Sequence, residues 1–295
     1  MSNQLPPIDW DRVDALIEMA ISEDLGASGD VTTLAVIAPE AKAVAVLRCK
    51  EENMIVAGQE VAERVFARLD PVCDYRVIKP DGSRCHYGEV IAEVRGSAQA
   101  LLTAERTALN FLQRLCGVAT TAGRYAAALE GYKTVILDTR KTTPGYRNLE
   151  KYAVAVGGAT NHRIGLYDRA MIKDNHRELA AMEGPGGIAR SVERVRKCFP
   201  GIEIEVEADS LEEVREAADA GADYILLDNM SDETMQEAIA INGGRAKLEA
   251  SGGITWERLE RIGKLGVDFV SAGALTHSVK AADISLDILP EGGEA

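Results

Sequence analysis

From about residue 132 onward the chain alternates between short apolar runs and amphipathic helical stretches, and this alternation constrains the fold more than any other feature. The apolar runs are TVIL (134–137), RAMI (169–172), IEIEVE (202–207), YILL (224–227), KLEA (247–250) and DFVS (268–271). Each has the length of a buried strand. The stretches between them, such as SLEEVREAADAG (210–221), show helical spacing closed by a glycine that feeds the next run. Strand–helix–strand repeats set neighbouring strands parallel, joined by right-handed crossovers, so an α/β protein with a parallel sheet is expected. A complete eight-strand barrel takes about 250 residues and roughly 150 follow the change of pattern, so the sheet should be an incomplete barrel of about seven strands. A flat doubly wound sheet is the competing fold, although no GxGxxG follows the first strand.

The first hundred residues read differently. DWDRVDALIEMAISEDL (9–25) sets Val13, Leu16, Ile17, Ala20 and Ile21 at helical spacing. AKAVAVLRC (41–49), NMIVAG (53–58), DYRVIK (74–79) and EVIAEVRG (89–96) read as strands, and residues 59–69 as a short helix. The last two strands flank KPDGSRCHYG (79–88), whose Asp81-Gly82 favours a tight reversal between antiparallel strands. Residues 98–130 are rich in alanine and leucine and read as helical, with a break expected at Cys116-Gly117, where the domain boundary is drawn. The acidic, glycine-bearing ILPEGGEA (288–295) reads as disordered.

A chain of 295 residues that is 46% hydrophobic can bury a sizeable core, and two domains are expected. It contains no run of 18 apolar residues, and MSNQLPPIDWDR lacks the basic start and apolar stretch of a signal peptide, so a cytoplasmic, non-membrane protein is expected. Cys49, Cys73, Cys85, Cys116 and Cys198 form no CxxC pair and are odd in number, which argues against a disulfide framework and a zinc site. The net charge of −14 disfavours nucleic acid and anionic membrane as partners. Yet residues 138–177 hold eight Lys/Arg against four acids, a stretch of +4 that leaves −18 elsewhere. A basic cluster in an acidic protein suggests a pocket for a small anion, with a solvated face of ion pairs as the alternative.

Polar residues or glycines end nearly every apolar run. Asp138-Thr139-Arg140-Lys141 follows TVIL, Lys173-Asp174-Asn175-His176 follows RAMI, and IEIEVE ends in Glu207. Asp228-Asn229 follows YILL, Ser251-Gly252-Gly253 follows KLEA, and Ala272-Gly273 follows DFVS. In a parallel barrel these ends converge on the active face. A single such residue could be a rim salt bridge. Agreement among six points to an anion-rich substrate, with Glu207 and Asp228 left for a cation, a hydroxylated sugar or a developing positive charge. ASGGI (250–254) and SAGAL (271–275) each lead into a helix, and their N–H groups suit phosphate oxygens; short turns without a ligand are the alternative. His162 reads as an anion contact and His176 as a structural histidine, since neither stands in an HxH or HExxH pattern. Lys173 could instead form an imine with a carbonyl substrate. A non-catalytic anion-binding protein is also compatible.

Taken together, ERTALNFLQRLCGVAT (105–120), DTRKTTPGYRNLEKYAVAVGGATNHRIGLYD (138–168), MIKDNH (171–176), IEVEADS (204–210), LLDNM (226–230) and EASGGI (249–254) closely resemble quinolinate phosphoribosyltransferase. The resemblance runs from about residue 8 to residue 285. It implies phosphoribosyl transfer from phosphoribosyl pyrophosphate to quinolinate with decarboxylation, giving nicotinate mononucleotide, pyrophosphate and CO2 in NAD biosynthesis. It implies Mg2+ with phosphoribosyl pyrophosphate and no organic cofactor. The implied architecture is an N-terminal α/β sandwich at residues 1–116, with residues about 276–295 packing back on it, then an open barrel at 117–275. A homodimer or higher assembly is implied, with Arg106 reaching into the neighbour's active site.

By the same resemblance Arg140, His162, Arg163 and Lys173 surround the quinolinate carboxylates, which guanidinium forks grip through paired hydrogen bonds. Thr139 joins the substrate contacts, and Lys141 and Lys173 stand near substrate and pyrophosphate. Glu207 and Asp228 lie near the ribose, where they meet hydroxyls and magnesium. Ser251, Gly252, Gly253, Ala272, Gly273 and Ala274 match phosphate contacts. Lys141, Lys173, Glu207 and Asp228 form the implied catalytic set. A related transferase with another acceptor is the nearest rival.

Overall fold

The computed structural model describes residues 5–289. In chain order its elements are α1 (Trp10–Leu25), α2 (Val31–Val36), β1 (Lys42–Cys49), β2 (Met54–Ile55), α3 (Gln59–Leu69), β3 (Asp74–Val77), β4 (Arg84–Cys85) and β5 (Val90–Ser97). There follow α4 (Ala98–Ala128), β6 (Val135–Leu137), α5 (Arg147–Val156), β7 (Ala170–Ile172), α6 (Asp174–Ala181), α7 (Gly187–Cys198), β8 (Ile204–Ala208) and α8 (Leu211–Asp219). The last are β9 (Tyr224–Asp228), α9 (Asp232–Asn242), β10 (Lys247–Ser251), α10 (Leu259–Leu265), β11 (Phe269–Ser271) and β12 (Ile284–Leu289). They fall into two compact units: Met1–Gly123 with Thr143–Gly158 and Ser278–Ala295, and Arg124–Thr142 with Ala159–His277.

The first unit is built on a four-stranded antiparallel sheet in the order β12-β1-β5-β3. β1 is paired on both edges, and Ala43 to Leu47 are buried, which is why its sequence is a continuous apolar run rather than an alternation. On α1 the Asp9 carboxylate accepts the Arg12 N–H, and Val13, Ile17 and Ile21 form one buried stripe.

Three sequence expectations change in this unit. No break occurs at Cys116-Gly117, because α4 runs unbroken through it. Gly117 serves close packing: a Cβ there would lie 2.3 Å from the Lys280 carbonyl oxygen, where residues 280–282 cross the helix and the Ala282 N–H donates to the Gln113 carbonyl. The tight turn expected at Asp81-Gly82 is present, the Ser83 N–H donating to the Pro80 carbonyl, and β3 and β5 pair antiparallel, but residues 79–88 are more than a reversal, since β4 intervenes and pairs with β2. Asp81 also caps α3, its carboxylate accepting the N–H groups of Gly58 and Gln59 at 2.8 and 3.1 Å and the Tyr152 hydroxyl at 2.8 Å. Finally, Ile288 and Leu289 of ILPEGGEA belong to β12, opposite Ala45 and Val44, while residues 290–295 lie outside the described residues.

The second unit carries all six strands read from the alternation, as one parallel sheet in the order β6-β11-β10-β9-β8-β7. Among the described residues the sheet therefore has six strands where about seven were expected; Thr160 adds only an isolated parallel bridge beside Leu137. Ile204, Val206 and Ala208 of β8 are buried and alternate with Glu205 and Glu207 on the opposite face. Ser210 starts α8 with a reciprocal Ser–Glu213 cap. The sheet curls into a barrel. Laid flat, the Thr160 edge would stand about 24 Å from β8, five strand spacings away. His162 nevertheless reaches Glu205 on β8 at 3.1 Å and Glu249 on β10 at 3.3 Å. A flat doubly wound sheet cannot bring these three together.

Candidate active site

The strand ends meet at one cavity of about 720 Å³, within the range of small-ligand sites. Its wall takes Thr139, Arg140 and Lys141 after β6, Lys173 after β7, Glu207 from β8, Asp228 from β9, and Ser251, Gly252 and Gly253 from β10 and its loop. His162 and Arg163 complete it from the segment that follows the Thr160 bridge. A neighbouring cavity of about 480 Å³ shares Arg140, Arg163, Met171 and Lys173 and adds the apolar Leu166, Ala170, Ile172 and Val195. Among the sequence-read site residues, Ala272, Gly273 and Ala274 are absent from the larger cavity's wall, although a Cβ on Gly273 would lie 3.0 Å from the Lys141 side chain. Arg106 is exposed on α4, in the first unit.

The basic cluster divides by role. Arg140, Lys141, Arg163 and Lys173 line the cavity. Arg169 stacks 4.0 Å from the Tyr224 ring centroid and pairs with Glu203, and Arg177 is tied to Asp209 and Glu213. Arg147 and Lys151 sit on α5, in the other unit. Within the cavity like charges face one another. Burial, then the neighbouring Arg140, holds the Arg163 guanidinium below its ordinary pKa. Such a pair favours a ligand that brings negative charge. Burial likewise pushes the Glu207 carboxyl up, Asp228 adding to it and Lys173 opposing. A cation between Glu207 and Asp228 would relieve that repulsion, and two carboxylates are the hard oxygen donors magnesium takes.

His162 has both ring nitrogens engaged within the protein. Nδ1 accepts the Arg163 N–H at 2.7 Å, and Nε2 lies 3.1 Å from Glu205 and 3.3 Å from Glu249, both fully buried. Burial works against a charged imidazole, but the two carboxylates outweigh it and push His162 up to about 9, so the cluster keeps an extra proton through neutral pH. The Glu249 carboxyl is itself raised, by burial and then by the charge of Glu205, so the extra proton is shared within the cluster. His162 thus lines the cavity with Nδ1 taken by the Arg163 N–H and Nε2 turned toward the two carboxylates. His176 is structural as expected: its Nδ1 accepts the Lys173 N–H at the start of α6.

The two glycine turns differ. Gly252 needs to be glycine twice over, with φ +82° and a would-be Cβ 2.8 Å from the Asn229 backbone nitrogen. Beyond it a three-residue 3-10 turn, Trp256–Arg258, leads into α10. SAGAL leads only into a 3-10 turn, Gly273–Leu275, not an α-helix, so it offers no helix dipole. Residues that sequence reasoning left out of the site are Glu205 and Glu249, while Asn229, at φ +53°, and Ser271 were read only as parts of strand ends and line the cavity. For Glu205 the available signal was its two-residue spacing from Glu207, which puts both on the inner face of one strand.

Comparison with known proteins agrees with this geometry. The family model described as quinolinate phosphoribosyl transferase, C-terminal domain, matches residues 118–287, and its N-terminal counterpart matches residues 30–116. A Bacillus subtilis protein named probable nicotinate-nucleotide pyrophosphorylase (carboxylating) is 44% identical over 278 residues, covering 94% of this chain and 93% of its own. A chloroplastic protein of that name from Arabidopsis thaliana is 41% identical over 93% of this chain and 82% of its own. The solved nicotinate-nucleotide pyrophosphorylase of Francisella tularensis superposes with a TM-score of 0.89 at 38% identity, over 97% of this chain and 99% of that one. The chain thus belongs to the quinolinate phosphoribosyltransferase family, the carboxylating nicotinate-nucleotide pyrophosphorylases, whose reaction is decarboxylating phosphoribosyl transfer in NAD biosynthesis.

Proposed function

We propose that the 720 Å³ cavity holds quinolinate and phosphoribosyl pyrophosphate together and that its residues divide between them. The observation that carries this reading is the convergence of Arg140, Arg163, Lys141 and Lys173 opposite Glu207 and Asp228 in one cavity. Arg140 and Arg163 bind the two carboxylates of quinolinate, with Lys173 beside them and Thr139 and His162 forming wall. Two carboxylates neutralise the charge that depresses the Arg163 pKa. Lys141 faces the pyrophosphate. Ser251, Gly252 and Gly253 contact phosphate through backbone N–H groups, and Ala272, Gly273 and Ala274 back that side.

The reaction then follows from charge. The quinolinate nitrogen attacks C1 of the ribose as pyrophosphate leaves, and Glu207 and Asp228 stabilise the positive charge developing at C1. Loss of CO2 from the ring 2-position follows, the adjacent cationic nitrogen stabilising the electron pair left on C2, which takes up a proton to give nicotinate mononucleotide. Glu207 and Asp228 would also hold magnesium, which supplies neutralisation of the pyrophosphate charge when bound. The protein positions and stabilises, and no covalent enzyme intermediate is needed.

The functional domains in this reading are 1–116 and 117–275, and the two family models meet at the same place. The working unit is a homodimer in which the partner's exposed Arg106 completes the anion site. Neither nucleic acid nor membrane is a partner; the net charge of −14 supports this, and no described helix is long and apolar enough to cross a membrane. The cytoplasm is its proposed location. Incubation with quinolinate, phosphoribosyl pyrophosphate and Mg2+ should yield nicotinate mononucleotide, pyrophosphate and CO2. Borohydride trapping of a substrate adduct on Lys173 would instead favour imine chemistry.

A further inference from the structure

We propose that Glu205 and Glu249 are positioning residues for the anion end of the cavity, holding His162 and, through it, the backbone that carries Arg163. The inference rests on the quinolinate-site reading above. Two carboxylates inside a barrel need a reason. Inner barrel layers are ordinarily filled by branched apolar side chains, and leucine would fill these positions of β8 and β10 without the cost of burying charge. Both glutamates are fully buried, and among the described residues their four oxygens find no hydrogen-bond donor of regular geometry. Nearest to both is His162 Nε2, at 3.1 and 3.3 Å; the Arg169 guanidinium stands farther off, 3.7 Å from Glu205, and Ser271 lies beside Glu249.

The other side of the imidazole leads to the cavity. Nδ1 accepts the Arg163 N–H at 2.7 Å, the His162 N–H donates to Asp138 Oδ1 at 2.8 Å, and Asn161 Nδ2 donates to Asp138 Oδ2 at 2.7 Å. Asn161, His162 and Arg163 are thus fastened as one segment. The Arg163 guanidinium, 3.0 Å from the Arg169 carbonyl, is aimed from that segment. His162, Arg163 and Glu249 all line the same cavity, so a shift of the imidazole moves the residue that grips substrate.

His162, Glu205 and Glu249 also have the composition and spacing of a metal site. The Arg163 N–H argues against that use. It makes Nδ1 the acceptor, so the ring proton sits on Nε2, and a protonated nitrogen cannot ligate a metal.

The test uses the full-length protein with Glu205 and Glu249 both changed to leucine, beside Glu249→Gln, which keeps an acceptor for Nε2–H. Replacing buried charges by apolar groups of similar volume is often neutral for stability, so the double variant should fold. It should raise the KM for quinolinate at least about tenfold and leave that for phosphoribosyl pyrophosphate within about twofold, while Glu249→Gln stays within about threefold of wild type. Glu249→Leu alone carries the same comparison at smaller amplitude if the double variant does not fold. Unchanged KM values, or equal rises in both, would overturn the positioning role. So would a metal ion retained at one per chain by wild type and lost from the leucine variants. Wild-type turnover is measured alongside: its absence from folded protein defeats the site reading itself, whereas turnover without the KM split defeats only this inference.

Discussion

Arg140 and Arg163 line the same cavity, where burial and then the charge of Arg140 hold the Arg163 guanidinium below its ordinary pKa, and in the proposed site this is where quinolinate binds. Arg140→Ala should raise the KM for quinolinate at least about tenfold and that for phosphoribosyl pyrophosphate much less, the loss expected when a charge-assisted pair is removed. Equal effects on both substrates, read from initial rates, would separate Arg140 from the carboxylates. A second consequence concerns pH. The His162 cluster keeps a proton up to about 9 that a free imidazole releases at 6.5. Its contribution to stability is full below 6.5 and is lost as pH rises through about 9. Melting temperatures between those pH values should fall more steeply for wild type than for the double leucine variant, which lacks the two carboxylates that raise His162. Arg140, Lys141, Lys173, Glu207 and Asp228 were legible in the sequence because they end apolar runs, and strand ends are where a barrel gathers its site. Glu205 carried only its two-residue spacing from Glu207 as a signal, and Glu249 none, because an acid inside a short apolar run does not by itself distinguish a buried partner from an exposed edge. The resemblance gives His162 a substrate contact, but no spacing could reveal that its nitrogens turn inward.

At the scale of elements, the six strands of the second unit were readable because each is a short run with a buried apolar face, follows a helical stretch or turn, and stops at polar residues or glycine. Gly117 misled for a physical reason: glycine in a helix signals a break unless something packs against it, and the crossing segment at 280–282 lies far away in sequence. Alanine at 117 tests this. Propensity alone predicts a gain of about 1 kcal/mol, whereas the clash with the Lys280 carbonyl predicts a loss of about 1–3 kcal/mol. Denaturant unfolding decides the sign, and stabilisation would refute the packing account. Asp81 forms the turn its sequence announced and has a second role that no local pattern shows, a cap for α3. Asp81→Ala should cost about 1 kcal/mol of stability with little effect on turnover, which melting and rate measurements on one preparation would check.

For the whole molecule, the alternation announced the α/β class and the open barrel, while the chain's crossing between units, with α5 and β12 both in the first, left no local trace. Pairing of β12 with β1 is a long-range contact that no window of sequence displays. The proposed dimer predicts complementation. Inactive Arg106→Ala and inactive Lys141→Ala proteins, mixed under conditions that exchange subunits, should regain part of the wild-type rate through hybrids that assemble one intact site. Hybrids without activity would contradict a site shared between subunits. The most direct test of the central claim follows the carbon that leaves. With quinolinate labelled in its 2-carboxylate, the protein should release labelled CO2 in step with nicotinate mononucleotide, and only when phosphoribosyl pyrophosphate and Mg2+ are present. Folded protein that releases no label, or releases it without phosphoribosyl pyrophosphate, would contradict the account.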